Sequence, residues 1–217
     1  MKRARRYHHD NLKQTLLQSA VKVLAKTGPR GFTLREVARR AKVSHNAPYR
    51  HFDDKDELLA AVAAQGFDRL ADSMISASAS AGDALTAFEA IGCGYVQFAL
   101  QWPDHFSIMF DSALNLRAYP DYAASGQRAF QILLDRTVVA QEQDQLPAGD
   151  PVPLALTAWS LVHGIAKLEV AKRLPLNSDD AILCFTRFAT HALVEGLRAG
   201  APEQQRNPRG EWTVGIL

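Results

Sequence analysis

The sequence predicts an all-α protein. Apolar residues recur at helical spacing along most of the chain, whereas strand-like alternation is scarce. Capping side chains and helix-starting prolines precede several of these periodic stretches. With 217 residues and 47% apolar content, the chain can bury a sizeable core in one or two domains. We therefore expect about nine helices.

The first predicted helix covers about residues 10–26. One face of this segment is apolar, and the Gly28-Pro29 pair ends it. We expect this helix to pack over the segment that follows and to complete a three-helix unit. The apolar face consists of Leu16, Leu17, Ala20, Val21 and Leu24.

Residues 33–59 have the pattern of a helix-turn-helix. Thr33 followed by Glu36 is a capping box, in which the hydroxyl satisfies a free amide and the carboxylate reaches back to the start of the helix. Ser44, a few residues later, offers the N-cap of a second helix. A tight turn between two short helices is what a helix-turn-helix requires.

The second helix of this pair is predicted over residues 44–52. Tyr49 and Phe52 are expected to anchor it while its first turn projects outward. Pro48 stands four residues after Ser44, where it lacks the N–H that would bond to the Ser44 carbonyl. A distorted first turn is therefore expected.

Six further helices are predicted. The first starts at Asp54, runs to the Ser-, Ala- and Gly-rich stretch 76–82, and is expected to bridge the two domains. Pro147 and Gly149 break the chain before the last two helices. The remaining five helices are expected over about 83–102, 104–110, 120–143, 154–173 and 178–198.

Charge divides the chain into two parts. Residues 1–58 contain 14 Lys or Arg against 6 Asp or Glu, a net charge of +8, and the remaining residues sum to −6. A basic N-terminal module on an acidic body attracts phosphate through one surface only. The basic run Lys2, Arg3, Arg5 and Arg6 precedes the periodic segments, so it is either an arm that reaches a DNA groove or a solvated tail.

Three motifs in residues 38–59 resemble the DNA-binding domain of the tetracycline-repressor (TetR) family. They are Ala38 to Ser44 with its alanines and Val-Ser, the Tyr-Arg-His-Phe tetrad at 49–52, and Asp-Lys followed by Glu-Leu-Leu at 54–59. The run Trp159 to Gly164 resembles the signature of a subgroup with a WHG-type C-terminal domain, as does the stretch 103–110. The resemblance implies a helix-turn-helix domain at 1–53, a ligand-binding and dimerisation domain at 54–200, and a tail at 201–217.

Residues at the starts of the two short helices are the predicted DNA contacts. Arg is suited to guanine and Asn to adenine, so Arg35, His45 and Asn46 are expected to face base edges. The predicted phosphate or backbone contacts are Thr33, Ser44, Tyr49, His51 and Lys55, with Arg3, Arg5 and Arg6 in the arm.

The last two predicted helices are apolar over much of their surface, which suits either a core or a four-helix dimer interface. Because a helix-turn-helix that reads two half-sites needs a dimer, we prefer the interface, with Gly164 allowing close approach. The predicted interface residues are Trp159, Leu161, Val162, Ile165, Ile182, Phe185, Ala189 and Leu193.

Aromatic residues in the body are either packing or the lining of a ligand pocket. The resemblance implies a largely apolar pocket that takes a small apolar or aromatic effector and releases the DNA. The predicted ligand-binding residues are Tyr95, Trp102, His105, Phe106, Phe110, Trp159 and His163.

Several other classes of protein are disfavoured. The seven histidines show no metal-ligand spacing, and neither a phosphate-binding glycine loop nor a nucleophile elbow occurs, so we expect no catalytic residues, metal or cofactor. Cys93 and Cys184 have no ligand spacing. Without a membrane-length apolar run or a signal peptide, a cytoplasmic protein is expected. The alternatives left open are an all-helical enzyme and a nonspecific DNA-binding scaffold, which the acidic body argues against.

Overall fold

The computed structural model describes the backbone of residues 2–110 and 116–200, and the side chains in these ranges except those of 2–11, 29, 30 and 117. Over these residues the chain is all-helical, as predicted, without a strand. The order of elements is α1 (Lys2–Gly31), α2 (Leu34–Arg40), a 3₁₀ helix (Pro48–Arg50), α3 (Lys55–Ser78), α4 (Ala84–Gln101), α5 (Pro103–Met109), a 3₁₀ helix (Leu116–Ala118), α6 (Pro120–Glu142), α7 (Pro151–Val170) and α8 (Asp179–Gly200).

Two predicted boundaries are wrong. The segment 44–52 is not an α-helix, because only the 3₁₀ helix Pro48–Arg50 forms there. At the N-terminus, α1 begins at Lys2 rather than near Asp10, so the basic run belongs to a helix instead of preceding it. The side chains of that run and the predicted tail 201–217 lie outside the described residues.

Gly28 ends the regular part of α1 at the predicted place. Its backbone has φ 65° and ψ 175°, which departs from helical geometry and lies in the region that glycine adopts most readily. Past this kink the helix continues to Gly31. The first helix therefore stops before the helix-turn-helix pattern begins.

Three helices end in the same capping motif without a glycine. Lys42 after α2, Asp144 after α6 and Lys172 after α7 all have φ between 53° and 57°. At each end two backbone amides bond back to the last carbonyls, as in a Schellman motif. A Lys or Asp in the left-handed region costs more than Gly, so the sequence carried little signal of these turns.

The chain divides into two compact units. One consists of Met1–Gly66 with Asp104–Ala124, and the other of Phe67–Pro103 with Ser125–Leu217. The first half of α3 therefore belongs to the first unit and its second half to the second. The predicted boundaries at residues 53 and 200 separate functional domains rather than compact units, so they remain a prediction.

In the first unit, α1, α2 and the start of α3 share an apolar core. A Cβ at Gly66 would lie 2.4 Å from the Met109 Sδ, so α3 and α5 approach closely at this glycine. The Tyr122 hydroxyl donates to the Met109 carbonyl at 3.1 Å. The core of this unit includes Leu16, Leu17, Ala20, Leu24, Phe32, Val37, Leu58, Leu59 and Val62, all buried.

In the second unit, α4 packs against both α7 and α8. A Cβ at Gly92 would lie 2.8 Å from the Thr190 Cγ2 and 3.1 Å from the Val162 Cγ1, so the three helices meet tightly there. The Ser73 hydroxyl of α3 donates to the Gly94 carbonyl of α4 at 2.8 Å. This packing fixes the aromatic residues of α4 and α7.

Candidate nucleic-acid interface

The start of α2 is capped largely as predicted. The Thr33 hydroxyl accepts a hydrogen bond from the Glu36 amide at 3.2 Å. The Glu36 carboxylate does not reach back, however, because it accepts from the Arg39 guanidinium Nε at 3.0 Å. This exposed hydrogen bond lowers the pKa of Glu36 and raises the pKa of Arg39. The cap leaves Thr33 and Arg35 exposed at the first turn.

The turn after α2 is closed by backbone hydrogen bonds. The Val43 amide donates to the Ala38 carbonyl at 3.1 Å, and the Lys42 amide donates to the Arg39 carbonyl at 3.2 Å. These two bonds satisfy carbonyls at the end of α2. The turn therefore holds the following segment in a defined position against α2.

Pro48 explains why the second predicted helix is absent. Without an N–H at Pro48, the Ser44 carbonyl instead accepts from the Ala47 amide at 2.9 Å, which makes a tight turn. Helical geometry then starts only with Pro48 at the first position of the 3₁₀ helix. The Phe52 amide closes the segment by donating to the Pro48 carbonyl at 3.0 Å.

The anchors of this segment differ from the prediction. Phe52 is buried as expected, but Tyr49 is 55% exposed, so the prediction that Tyr49 is an anchor is wrong. Ala47 and Pro48 are the buried residues that hold the segment in its place. The Lys13 ammonium lies 5.8 Å from the centre of the Phe52 ring, which links α1 to this anchor.

The predicted DNA contacts are mostly accessible. The His51 side chain is half-buried, and the side chains of Arg3, Arg5 and Arg6 lie outside the described part of the chain. The exposed members of the set are Thr33, Arg35, Ser44, His45, Asn46, Tyr49 and Lys55.

An open groove of about 450 Å³ connects the two halves of the helix-turn-helix. Arg35 and Arg39 line it from α2, and His45 lines it from the turn that follows. Arg35 and His45 thus face the same space although ten positions separate them in the sequence. Cationic and hydrogen-bonding side chains on one accessible edge suit the edges and phosphates of a duplex.

A second groove, of about 430 Å³, contains cations that the sequence reasoning missed. Lys22 and Lys26 of α1 line it together with Arg39 and Arg40 of α2. Since Lys22 and Lys26 are four residues apart on a helix, their spacing already placed them on one face. Glu36 is the acidic residue in this lining.

The start of α3 carries Lys55 next to a tight cap. The Asp54 carboxylate accepts from the amides of Asp56 at 2.9 Å and Glu57 at 2.8 Å. The Glu57 carboxylate accepts from the Asp53 amide. This capping holds the first turn of α3 rigidly and leaves the Lys55 side chain exposed.

Three of the predicted ligand residues form one cluster in the second unit. The Tyr95 hydroxyl and the His163 Nδ1 are 2.7 Å apart, the Trp159 ring stacks on His163, and Tyr95 meets Trp159 edge-on. Burial, followed by the charge of Lys167, lowers the pKa of His163 to about 4, and burial raises the pKa of Tyr95. A neutral His163 that accepts from the Tyr95 hydroxyl fits both shifts.

An apolar cavity of about 20 Å³ adjoins this cluster. Its volume is close to that of a single water-sized probe, so a larger ligand requires the surrounding helices to move apart. It is lined by Met74, Phe88, Ile91, Gly92, Tyr95, Leu133, Ala158, Trp159, Val162, Thr190 and Leu193.

The other predicted ligand residues lie elsewhere. Trp102 is 41% exposed beside Arg69 in the second unit. His105 and Phe106 are buried in the first unit, where the rings of Phe106 and Phe110 are 5.1 Å apart. The predicted ligand-binding residues therefore do not all lie in one place, because they belong to more than one local environment.

The predicted dimer residues divide by burial. Trp159, Val162, Ile165 and Ile182 are buried within this chain, so they belong to its core. The more accessible members are Leu161, Phe185, Ala189 and Leu193.

Two exposed residues outside that set extend the apolar surface of the last two helices. Phe188 of α8 is 70% exposed and Leu168 of α7 is 47% exposed. Apart from its own helix backbone, no described atom lies within 4 Å of a Cβ built on Gly164, so this glycine makes no close contact with another described helix.

Two further searches of the described residues bear on function. Over residues 2–110 and 116–200, no group of three or more His, Cys, Asp or Glu side chains is placed to hold a metal ion. In the same ranges no helix is both long and apolar enough to cross a membrane.

Two family profiles match the chain. The profile described as "Bacterial regulatory proteins, tetR family" matches residues 16–62, and "Tetracyclin repressor-like, C-terminal domain" matches residues 88–192. The first match contains the capped α2, the turn and the start of α3. The second contains the Tyr95, Trp159 and His163 cluster.

Curated relatives match a short segment of the chain. An HTH-type transcriptional repressor of Mycobacterium tuberculosis is 43% identical over 47 residues, which cover 22% of this chain and 25% of that protein. An HTH-type transcriptional regulator of Mycobacterium bovis matches to the same extent. The matched segment spans about a quarter of the length of these relatives.

Solved structures match over most of the chain. A protein of unknown function from Rhodococcus sp. RHA1 has 31% identity and a TM-score of 0.76, covering 86% of this chain and 95% of that one. A TetR family transcription regulator from Marinobacter aquaeolei has 18% identity and a TM-score of 0.68, covering 86% and 97%. This second likeness concerns the fold alone.

The fold and the interface define a helix-turn-helix transcription regulator with a DNA-binding N-terminal domain. The chain belongs to the TetR family. Both the family and the all-helical fold were predicted from the sequence.

Proposed function

We propose that this chain is a homodimeric repressor that binds a pseudo-palindromic operator and is released from it by a small apolar or aromatic effector. The observation that carries the DNA-binding part is the open groove shared by Arg35 and His45, beside the exposed Asn46. The +8 charge of residues 1–58 supplies the attraction to phosphate. Access to chromosomal DNA requires the protein to act in the cytoplasm.

Selection of duplex sites from a random pool tests the DNA-binding part. A dimer with two equivalent helix-turn-helix units selects sites with dyad symmetry, whose half-sites lie about one helical turn or a small multiple apart. Sedimentation of the protein on the selected site gives the stoichiometry. Sites without symmetry, or a monomer on the DNA, would contradict the proposal, and equal affinity for all sequences would instead favour a nonspecific scaffold.

The apolar surface of α7 and α8 supports the dimer. Leu168, Phe185 and Phe188 are 47%, 38% and 70% exposed. Phe185 and Phe188 are three positions apart on α8 and therefore share one face, and an exposed apolar face marks an interaction surface. An isologous contact between two copies buries the same surface on both, which provides the two-fold axis that a palindromic site requires.

The effector part rests on the apolar cavity next to Tyr95 and Trp159. A lining that is almost wholly apolar favours an apolar ligand, with the Tyr95 hydroxyl and His163 as the nearby polar pair. Because the cavity is small, binding selects a conformation in which these helices have separated. No chemical reaction is part of this function, so the chain is proposed not to be an enzyme.

Linkage tests the effector part. A ligand that lowers operator affinity by about 5- to 150-fold is itself bound more weakly by the same factor when operator is saturating. Ligand affinity is measured by calorimetry with and without the selected operator. A ligand that binds the body with unchanged affinity in the presence of operator would show that it is not the effector.

A further inference from the structure

A second site in the body is formed around Arg69. The Arg69 guanidinium lies over the Trp102 ring, 3.9 Å from its centre, and Trp102 is 41% exposed. Arg69 comes from the middle of α3, whereas Trp102 follows the last residue of α4. A guanidinium above an indole ring gains a cation–π attraction, which holds the Arg69 head group beside Trp102.

Arg69 forms no ion pair within the described residues. Its Nη1 is buried without a hydrogen-bond partner there. The neighbouring Asp68 is paired with Arg128 instead. Burial lowers the pKa of Arg69 from its usual range, which is the mark of a partly desolvated cation. Such a group costs free energy unless an anion joins it.

An open groove of about 440 Å³ contains these two residues. Ser76, Gln97 and Gln101 supply further hydrogen-bonding groups, and Asp72 is the one carboxylate in the lining. Ser73 also lines it but already donates to the Gly94 carbonyl. The groove thus combines one aromatic face, one cation and several neutral polar groups.

We propose that this groove binds an organic carboxylate with a planar aromatic body, the carboxylate pairing with Arg69 and the ring lying along Trp102. A carboxylate matches the two-pronged edge of a guanidinium, so the pairing is directional. The exposed indole offers a flat apolar surface to the ring, and Gln97 and Gln101 bond to polar substituents.

This site goes beyond the proposed function, because it is separate from the apolar cavity and does not depend on DNA binding. The two linings share no residue. The two sites also favour opposite chemistry, since the cavity suits an uncharged apolar molecule and the groove an anion. Failure of operator binding would therefore leave this proposal untouched.

Calorimetry with 2-naphthoate tests the proposal, with 2-naphthamide as the uncharged analogue of the same shape. The full-length protein is expected to bind the carboxylate at least about tenfold more tightly than the amide. Arg69→Gln should remove this preference, and Arg69→Lys should restore only part of it, because a lysine keeps the charge without the planar fork. Equal binding of both compounds would overturn the proposal.

Arg128→Gln is the matched control. It removes the same charge from the same unit, but from an exposed ion pair outside the groove. The carboxylate preference should survive in this variant, and circular dichroism should show that Arg69→Gln is folded as well. An equal loss in both variants would mean that overall charge, rather than the groove, binds the ligand.

Asp72→Asn and inorganic phosphate complete the test. Removing the carboxylate that faces the ligand should strengthen 2-naphthoate binding by a few fold, since it relieves repulsion. Trp102→Ala should weaken the carboxylate and the amide alike, because it removes the stacking surface common to both. If phosphate competes as well as 2-naphthoate, the site is a general anion site and the aromatic ligand class is wrong.

Discussion

At the scale of residues, position within the helix-turn-helix separates two kinds of proposed DNA contact. Arg35 and Asn46 are exposed near the groove between α2 and the turn, and both side chains can make paired hydrogen bonds to base edges. Lys55 stands at the first position of α3 as a compact charge, which suits a phosphate.

We predict that these residues differ in how they affect specificity. Arg35→Ala and Asn46→Ala should each cost about 1–3 kcal/mol of operator affinity and relax preference at one base pair. Lys55→Ala should weaken all sequences alike and reduce the slope of log affinity against log salt by about 1. Binding to single-substitution operator libraries at several salt concentrations measures both. If Lys55→Ala changed base preference and Asn46→Ala changed only the salt slope, the proposed orientation of the protein on DNA would be wrong.

His163 makes the stability of the body depend on pH. Its pKa is about 4 in the fold against an ordinary value of 6.5. Between these values the unfolded chain binds a proton that the folded chain does not, so the free energy of unfolding falls as the pH drops from about 6.5 to about 4. Well above pH 6.5 His163 is neutral in both states, so its titration no longer changes the free energy of unfolding.

We predict that His163→Gln removes part of this loss. Urea unfolding at pH 7.5 and pH 4.5 should show that the wild type loses about 1–2 kcal/mol more than the variant, after allowance for solvent around the ring. Gln retains hydrogen-bonding capacity but does not titrate. Because the other histidines are the same in both proteins, their contribution cancels, and equal losses would mean that His163 is not the group responsible.

At the scale of elements, single residues decide whether a helix forms and how closely it packs. Pro48 denies the Ser44 carbonyl its α-helical partner, so a turn and a 3₁₀ helix stand where an α-helix was predicted. The side chains of His45 and Asn46 are nevertheless exposed. In the body, Gly92 allows α4 to approach Thr190 and Val162 closely.

Two glycine-to-alanine substitutions should therefore change the free energy of unfolding in opposite directions. Gly92→Ala forces a methyl group against Thr190 and should destabilise the protein by about 1–3 kcal/mol. The methyl group of Gly196→Ala would meet no described atom within 4 Å apart from its own helix backbone, so this change should stabilise α8 by about 0.5–1 kcal/mol through helix propensity. Thermal and urea unfolding measure both. A neutral Gly92→Ala would show that the helices separate at little cost.

At the scale of the whole molecule, the charge difference and the apolar surface of α7 and α8 support a two-part function. A basic N-terminal part and an acidic remainder direct DNA to one part of the chain. The proposed dimer depends on the exposed Leu168, Phe185 and Phe188, which the packing of this single chain leaves uncovered.

We predict that Phe188→Asp converts the proposed dimer to a monomer. Burying a charge at the centre of the proposed interface should weaken self-association by about 100-fold or more and should lower operator affinity with it. Ile75→Asp is the control, because Ile75 is 50% exposed on α3, outside the proposed interface. Sedimentation and far-ultraviolet circular dichroism report assembly and folding. A Phe188→Asp protein that remains dimeric would exclude this surface.

Local patterns in the sequence were sufficient for the fold class, for several caps and for the first helix of the helix-turn-helix, but not for the α-helix expected from Ser44. Thr33 caps the helix that it was expected to cap, and Asp54 and Ser178 cap helices that were expected to start there, because a cap depends on residues within three or four positions. Pro48 indicated a disturbed segment for the same local reason. The pattern underestimated the effect of Pro48. Whether the segment keeps a distorted α-helix or changes to a turn and a 3₁₀ helix depends on how the rest of the chain packs against it.

Only the tertiary structure determined which side chains meet. Tyr49 and Phe52 carry the same aromatic signal, yet packing against α1 buries Phe52 and leaves Tyr49 exposed. Tyr95 and His163 are joined although 68 positions separate them, whereas Trp102 and His105, only three positions apart, fall in different compact units. Helical periodicity gives the face on which a residue lies but not the helix that covers it, because that partner is set by long-range packing.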